Sequence, residues 1–187
     1  IFEEGRMPSK IVWGITGSGD LISEIFEVME EISKMKRLEI TAVLSKAAVT
    51  VLKWYKLNDS LDRIAHRILV EKDANTPFIV GPLQTGEYDA LIVAPATANT
   101  VAKIVNGIAD TIITNSVSQT NKTSVDIYIL PVDQKMGTTT TILPGGKKLD
   151  LSMRDIDVEN TNRLRKMKGI VVLEKPKGIK SIVEKYG

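Results

Sequence analysis

The chain contains no cysteine. That excludes disulfides, thiolate nucleophiles, cysteine-ligated zinc and cysteine-held iron–sulfur clusters together. It has a single histidine, His66, too few imidazoles for a dedicated transition-metal site, so no metal is expected. Aromatic residues make up 5% of the chain, and Trp13, Trp54 and the three Phe do not fall in a row with the lysines. A base-stacking platform for nucleic acid is therefore not expected. No apolar run reaches the about 18 residues of a membrane span, and no signal-peptide pattern opens the chain. A formal charge of +2 gives little attraction for a polyanion or a membrane surface. These absences point to a cytoplasmic protein with neither nucleic acid nor membrane as partner.

What is present is ordinary core material: 187 residues, 43% of them hydrophobic, enough for one well-filled domain. Residues 1–6, ending in Glu4, Gly5 and Arg6 before Met7-Pro8, read as a remnant of an expression tag, with Met7 as the natural start. Residues 7–187 read as a single domain without internal repeat or long linker.

Short apolar runs alternate with amphipathic stretches. Residues 10–16, 38–44, 90–94, 125–130 and 170–173 read as strands. Ile22, Ile25, Phe26, Met29 and Ile32 recur at helical spacing, with Glu24, Glu27, Glu30 and Glu31 on the other side. Further helices are expected over 46–55, 61–67, 99–106, from Asp157 to Gly169, and over 179–186; the threonines 138–141 with Pro144-Gly145-Gly146 read as a hairpin. Strands that are apolar throughout belong to a parallel sheet covered on both faces. The expected fold is α/β, a Rossmann-like three-layer sandwich with a mostly parallel sheet and helices on both sides.

In such sheets ligands sit beyond the carboxyl ends of the strands. Four of those ends are small or polar here: residues 16–20, Ser45-Lys46, residues 95–100 and residues 115–119. The Gly17-Ser18-Gly19-Asp20 turn opens a helix, where free N–H groups and the positive dipole end favour an anion such as phosphate. It lacks the Gly-Lys-Ser/Thr of a phosphate-binding P-loop and the spacing of a dinucleotide fingerprint, and a plain tight turn is the competing reading. Ser45 stands where a helix begins and suits an N-cap, which is compatible with a phosphate contact. Asn99 can cap the next helix or offer its amide to a heterocycle.

The run Pro95-Ala96-Thr97-Ala98-Asn99-Thr100, with Lys103, Asp110 and Thr114 following, resembles the Pro-Ala-Ser-Ala-Asn-Thr region of the homo-oligomeric flavin-containing cysteine decarboxylase superfamily. The glycine turn and Ser45-Lys46-Ala47-Ala48 fall where that superfamily contacts the flavin phosphate. The resemblance implies noncovalent FMN, held at subunit interfaces of a homo-trimer or a higher assembly of trimers. It implies flavin contacts from Gly17, Ser18, Gly19, Ser45, Pro95, Ala96, Thr97, Ala98, Asn99, Thr100, Asn115, Ser116, Ser118 and Gln119.

Departures from the pattern separate the branches. The decarboxylases place a catalytic histidine about 14 residues before the proline, where this chain has Gly81, and His66 lies well upstream on an expected helix. Their substrate asparagine is absent from Pro131-Val132-Asp133-Gln134-Lys135-Met136. The arginines of flavin prenyltransferase are also missing. The archaeal branch, which resembles archaeoflavoprotein and dihydromethanopterin reductase, implies an oxidoreductase fed by ferredoxin and possessing a dihydropterin-type acceptor. Within it Asp133 is the candidate proton relay, and Lys135 or Lys122 the candidate cation beside the reduced flavin. A prenyltransferase or decarboxylase of the same fold, or a nonenzymatic flavin carrier, stands as the alternative.

Overall fold

A computed structural model describes residues 7–186; the reading of residues 1–6 lies outside them. The chain begins with β1 (Ser9–Ile15), α1 (Ile22–Ile32) and β2 (Leu38–Leu44), then α2 (Lys46–Trp54), α3 (Asn58–Ile64) and β3 (Arg67–Val70). It continues through α4 (Val80–Gln84), β4 (Ala90–Ala96), α5 (Ala98–Val105), α6 (Ile112–Thr120) and β5 (Asp126–Pro131). A hairpin of β6 (Thr138–Ile142) and β7 (Lys148–Ser152) precedes α7 (Asp155–Leu164), β8 (Ile170–Val172) and α8 (Lys177–Val183).

Six strands form one sheet in the order β3-β2-β1-β4-β5-β8, every pair parallel. This is the expected α/β sandwich. Successive side chains of a strand point to opposite faces, so Ile11, Trp13 and Ile15 of β1 enter one core and Val12 the other. The first core is closed by α1, α2, α3 and α8, the second by α4, α5, α6 and α7. At the amino ends of the strands, the Tyr186 hydroxyl meets the Asp126 carboxylate and Tyr128 Oη, tying the end of the chain to β5.

Several boundaries differ from the sequence reading. The helix expected over 61–67 starts three residues earlier, and His66 lies in a bend where its Nδ1 accepts the Ile40 amide at 3.2 Å. That bond makes His66 a structural acceptor. Pro95 does not end β4: the strand runs on to Ala96 through an irregularity in its register with β5. Asp157 is not a cap either, since Arg154 holds the cap position and Asp157 binds its guanidinium at 2.7 and 2.8 Å.

Candidate functional site

The strand order reverses between β1 and β4, one running to β2 and the other to β5. Above such a switch point the connections diverge and leave a crevice at the carboxyl ends. The two exits are stitched together by one hydroxyl. Thr16 Oγ1 donates to Pro95 O at 2.7 Å and accepts Thr97 N at 3.0 Å. Below it Trp13 Nε1 donates to Ala94 O at 2.8 Å. On the other side Val132 N donates to Ala96 O.

The crevice over this seam has a volume of about 440 Å³, within the range of small-ligand sites. Its floor is the turn Gly17–Asp20 and the start of α5, Thr97 to Asn99. Val51, Trp54 and Tyr55 of the α2 end form one wall, and Val132, Asp133 and the hairpin form another. Thr139 pairs with Leu151 and Thr141 with Leu149 across the hairpin, so these four share the face that lines the crevice. Tyr55 Oη donates to Ile142 O at 2.9 Å and joins the two walls.

The turn is shaped by packing as well as by any ligand. A Cβ on Gly17 would collide with Ala47 Cβ, and one on Gly19 with the Tyr55 hydroxyl. Ser18 Oγ accepts the Asp20 amide at 3.1 Å, a local turn typical of serine. Among the described residues the amides of Gly17 and Gly19 have no protein partner. Gly17 and Gly19 are half-buried, so solvent or a ligand can reach that turn, whereas Thr141 Oγ1 is buried without a partner, and buried polar groups are nearly always paired.

Charge in the crevice is of one sign. Asp20 and Asp133 line it, and among the described residues no lysine or arginine does. Burial pushes the Asp133 carboxyl above the usual carboxylate range, and Asp157 and Asp20 push it further, against the pull of Arg154. Burial also raises Asp20, beyond what the Leu21 amide restores. A raised native pKa favours the protonated form in the folded state, so stability is fully present below the ordinary value and is lost as pH rises through the raised one. Asp133→Asn should therefore leave the thermal midpoint unchanged below about pH 4 and raise it progressively above. Melting curves of both proteins across pH check this; a gain that is flat with pH would contradict it.

Of the residues expected from the sequence, Gly17, Ser18, Gly19, Thr97, Ala98, Asn99 and Asp133 line the crevice together. Asn99 is not the helix cap. Thr97 is, accepting Thr100 N, and Asn99 is left exposed on the floor in the first turn of α5. Pro95, Ala96 and Thr100 are buried beneath it and shape it from below. Ser45 does not line the crevice; it is the N-cap of α2, accepting Ala48 N at 3.1 Å. Lys135 belongs to an adjoining cleft of about 320 Å³, which shares Asp20, Val132, Thr139 and Met153 with the first.

The segment 115–119 departs most from expectation. It is not a strand exit but the body of α6, which begins with a Thr111–Thr114 capping box. Asn115 Nδ2 binds Ala74 O and Asn75 Oδ1, both at 2.9 Å, and Ser116 Oγ binds Ile112 O within the helix. Gln119 accepts from Gln84 and Lys122, and Ser118 borders a separate small cavity. None of these residues, nor Lys122, reaches the crevice of its own chain.

Trp54, Tyr55 and the hairpin were missed as site residues. The available signals were the i, i+3, i+4 spacing of Val51, Trp54 and Tyr55, which puts them on one helix face, and the alternation in 139–141 and 149–151. Neither says what that face meets. Among the described residues no helix is long and apolar enough to cross a membrane, and no acidic or histidine cluster could hold a metal ion.

Known proteins are similar to this chain in sequence and in fold. An uncharacterized protein of Methanocaldococcus jannaschii is 55% identical over 177 residues, 95% of either chain. A dihydromethanopterin reductase (acceptor) of the same organism is 32% identical, across 89% of this chain and 92% of its own. The crystal structure of Burkholderia xenovorans DmrB in complex with FMN, described as a cubic protein cage for redox transfer, superposes with a TM-score of 0.78 at 27% identity, covering 98% of this chain and 96% of that one. A family model described as Flavoprotein matches residues 3–185, and with the switch-point crevice in place the chain belongs to the Flavoprotein family.

Proposed function

We propose that this protein is an FMN-dependent oxidoreductase of the cytoplasm, taking electrons from ferredoxin and passing them to an acceptor of the dihydromethanopterin type. The observation that carries the reading is the crevice at the β1–β4 switch point, floored by the unpartnered Gly17 and Gly19 amides. FMN fits what this chain offers. The amides suit its phosphate, and Trp54, Leu149 and Leu151 give an apolar wall for its ring system. Thr141 Oγ1 is free to bind a polar ring edge.

FMN, when bound, supplies the redox chemistry; the chain supplies position and electrostatics. With FMN bound, Thr97, Ala98 and Asn99 would form the floor under it, and the hairpin and Trp54 would shield it from water. Asp133, whose carboxyl is raised by burial, is the group we assign to relaying a proton to the acceptor. Lys135, one cleft away, is the cation we assign to balancing the reduced cofactor's charge.

The site is shared between subunits of a homo-trimer or an assembly of trimers. Trp54 is 62% exposed, and Leu149 and Leu151 are exposed around the same crevice. Large apolar side chains gathered at one mouth mark a surface that is covered in use. The half-buried α6 residues Ser118 and Gln119, which do not reach their own crevice, serve a neighbour's flavin in this arrangement, while Asn115 and Ser116, buried in their own chain, hold α6 in place for it.

Purified protein should be yellow and release intact FMN on acid or heat treatment, since there is no cysteine for a covalent link. In a sedimentation dilution series, FMN occupancy should fall together with the oligomer. A fully flavinated monomer would overturn the shared site, and FAD in the extract would overturn the cofactor. Anaerobic bleaching by reduced ferredoxin, then reoxidation by a dihydropterin, tests donor and acceptor; bleaching without reoxidation would leave an electron carrier.

A further inference from the structure

Glu71, just beyond β3, is 9% exposed, and both of its carboxylate oxygens are used. Oε2 accepts Lys46 N at 2.9 Å and Oε1 accepts Ile112 N at 3.0 Å. Those amides open α2 and α6, the first of the groups a helix leaves unpaired at its start. Two positive helix ends thus converge on one buried carboxylate. Neither helix needs it as a cap, because Ser45 already accepts Ala48 N and Thr111 already accepts Thr114 N. What Glu71 adds is a tie between two helices that belong to opposite layers of the sandwich.

That tie matters at the crevice. The first turn of α2 presents Ala47 to Gly17, and its last turn presents Val51, Trp54 and Tyr55 as a wall. A tilt of α2 about its buried middle, Ala48 and Leu52, would move both ends at once. We infer that Glu71 is a positioning residue for the flavin crevice, fixing α2 against α6 without touching the ligand. The inference rests on the FMN reading above.

The test uses the full chain with Glu71→Ala, Glu71→Gln and, as a control, Tyr88→Phe. The control breaks a buried bond to Thr41, 3.1 Å long and away from the crevice. Glu71→Ala should speed hydrogen exchange at the Lys46 and Ile112 amides and weaken FMN binding by about tenfold or more, since two charge-assisted bonds are lost. Glu71→Gln keeps one acceptor oxygen, so it should hold one helix and give an intermediate FMN affinity. Tyr88→Phe should lower the melting temperature and leave FMN affinity within about twofold. Wild-type affinity in Glu71→Ala, or a loss no greater than the control's at equal melting temperature, would overturn the inference. If the alanine variant fails to fold, the glutamine variant carries the same comparison. Wild-type protein that takes up no FMN would sink the cofactor reading alone. The amide exchange, with acrylamide quenching of Trp54, would then still decide whether Glu71 holds α2: unchanged exchange and quenching would overturn it.

Discussion

Gly17→Ala is expected to abolish most FMN binding while adding only one methyl group. A Cβ at this position would collide with Ala47 Cβ and lie 3.1 Å from the Ala47 carbonyl carbon and 3.3 Å from its Cα. Backbone atoms cannot swing aside. Ala47 is held by the Ser45 cap, by Ser45 N bonding Ile15 O at 3.1 Å, and by Glu71 on Lys46 N. The glycine is not at positive φ, so the strain is purely steric. Overpacking of this kind costs about 1–3 kcal/mol, a drop of about 2–12 °C in melting temperature for a domain of this size. The turn must shift to accept it, and the Gly17 and Gly19 amides shift with it. FMN affinity should fall by about a hundredfold, since positioned amides lose their value within about an ångström. Gly19→Ala is the informative contrast. Its Cβ would meet only the outer end of the Tyr55 side chain, the hydroxyl and the ring carbons Cζ and Cε2, which can swing away by giving up the bond to Ile142 O, so the loss should be smaller. Fluorescence titration of apoprotein with FMN measures both; equal affinities in Gly17→Ala and wild type would remove the turn from the site.

Trp13→Ala should be the most destabilising single change in the seam. Trp13 is fully buried in β1 and its indole donates to Ala94 O at 2.8 Å. Truncation removes a large side chain from a packed core, about 3–5 kcal/mol, and leaves a buried carbonyl unpaired, about 1–3 kcal/mol more. Against a total stability of about 5–15 kcal/mol, the variant should express poorly or melt at least about 10 °C lower. Trp13→Phe restores most of the volume and none of the hydrogen bond, so about 1–3 kcal/mol should remain. Urea unfolding followed by circular dichroism separates the two. If Phe is no better than Ala, the hydrogen bond outweighs the packing; if Phe equals wild type, the bond to Ala94 contributes nothing.

The strands were legible because burial on both faces writes itself as a continuous apolar run. Residues 90–94 are wholly Leu, Ile, Val and Ala, and 38–44 are so apart from Glu39 and Thr41; each lies in an inner parallel strand. α1 was legible because a one-sided helix repeats its apolar residues every three or four positions. Segment 115–119 was misread for the opposite reason. Thr114, Asn115 and Ser116 are buried polar residues, and their burial is made tolerable by bonds to Ala74, Asn75 and Ile112 that no local pattern announces. α4 carries Gly81 and Pro82 in a five-residue turn of helix, a composition that reads as loop.

By itself, then, the amino-acid order determined the layered α/β class and the small or polar strand exits at 16–20 and 95–100, parts of which line the crevice. Those are local properties, set by periodicity, by glycine and by the place of short side chains at strand ends. The tertiary structure alone decided that β1 lies beside β4, that Asn99 stays exposed while Thr97 caps, and that α2 and the hairpin close the crevice. It also turned Glu71 into the joint of two helices 41 and 25 residues away from it in the chain. Contacts across such separations depend on which apolar faces find each other, and apolar faces carry no address in sequence; only packing selects among them.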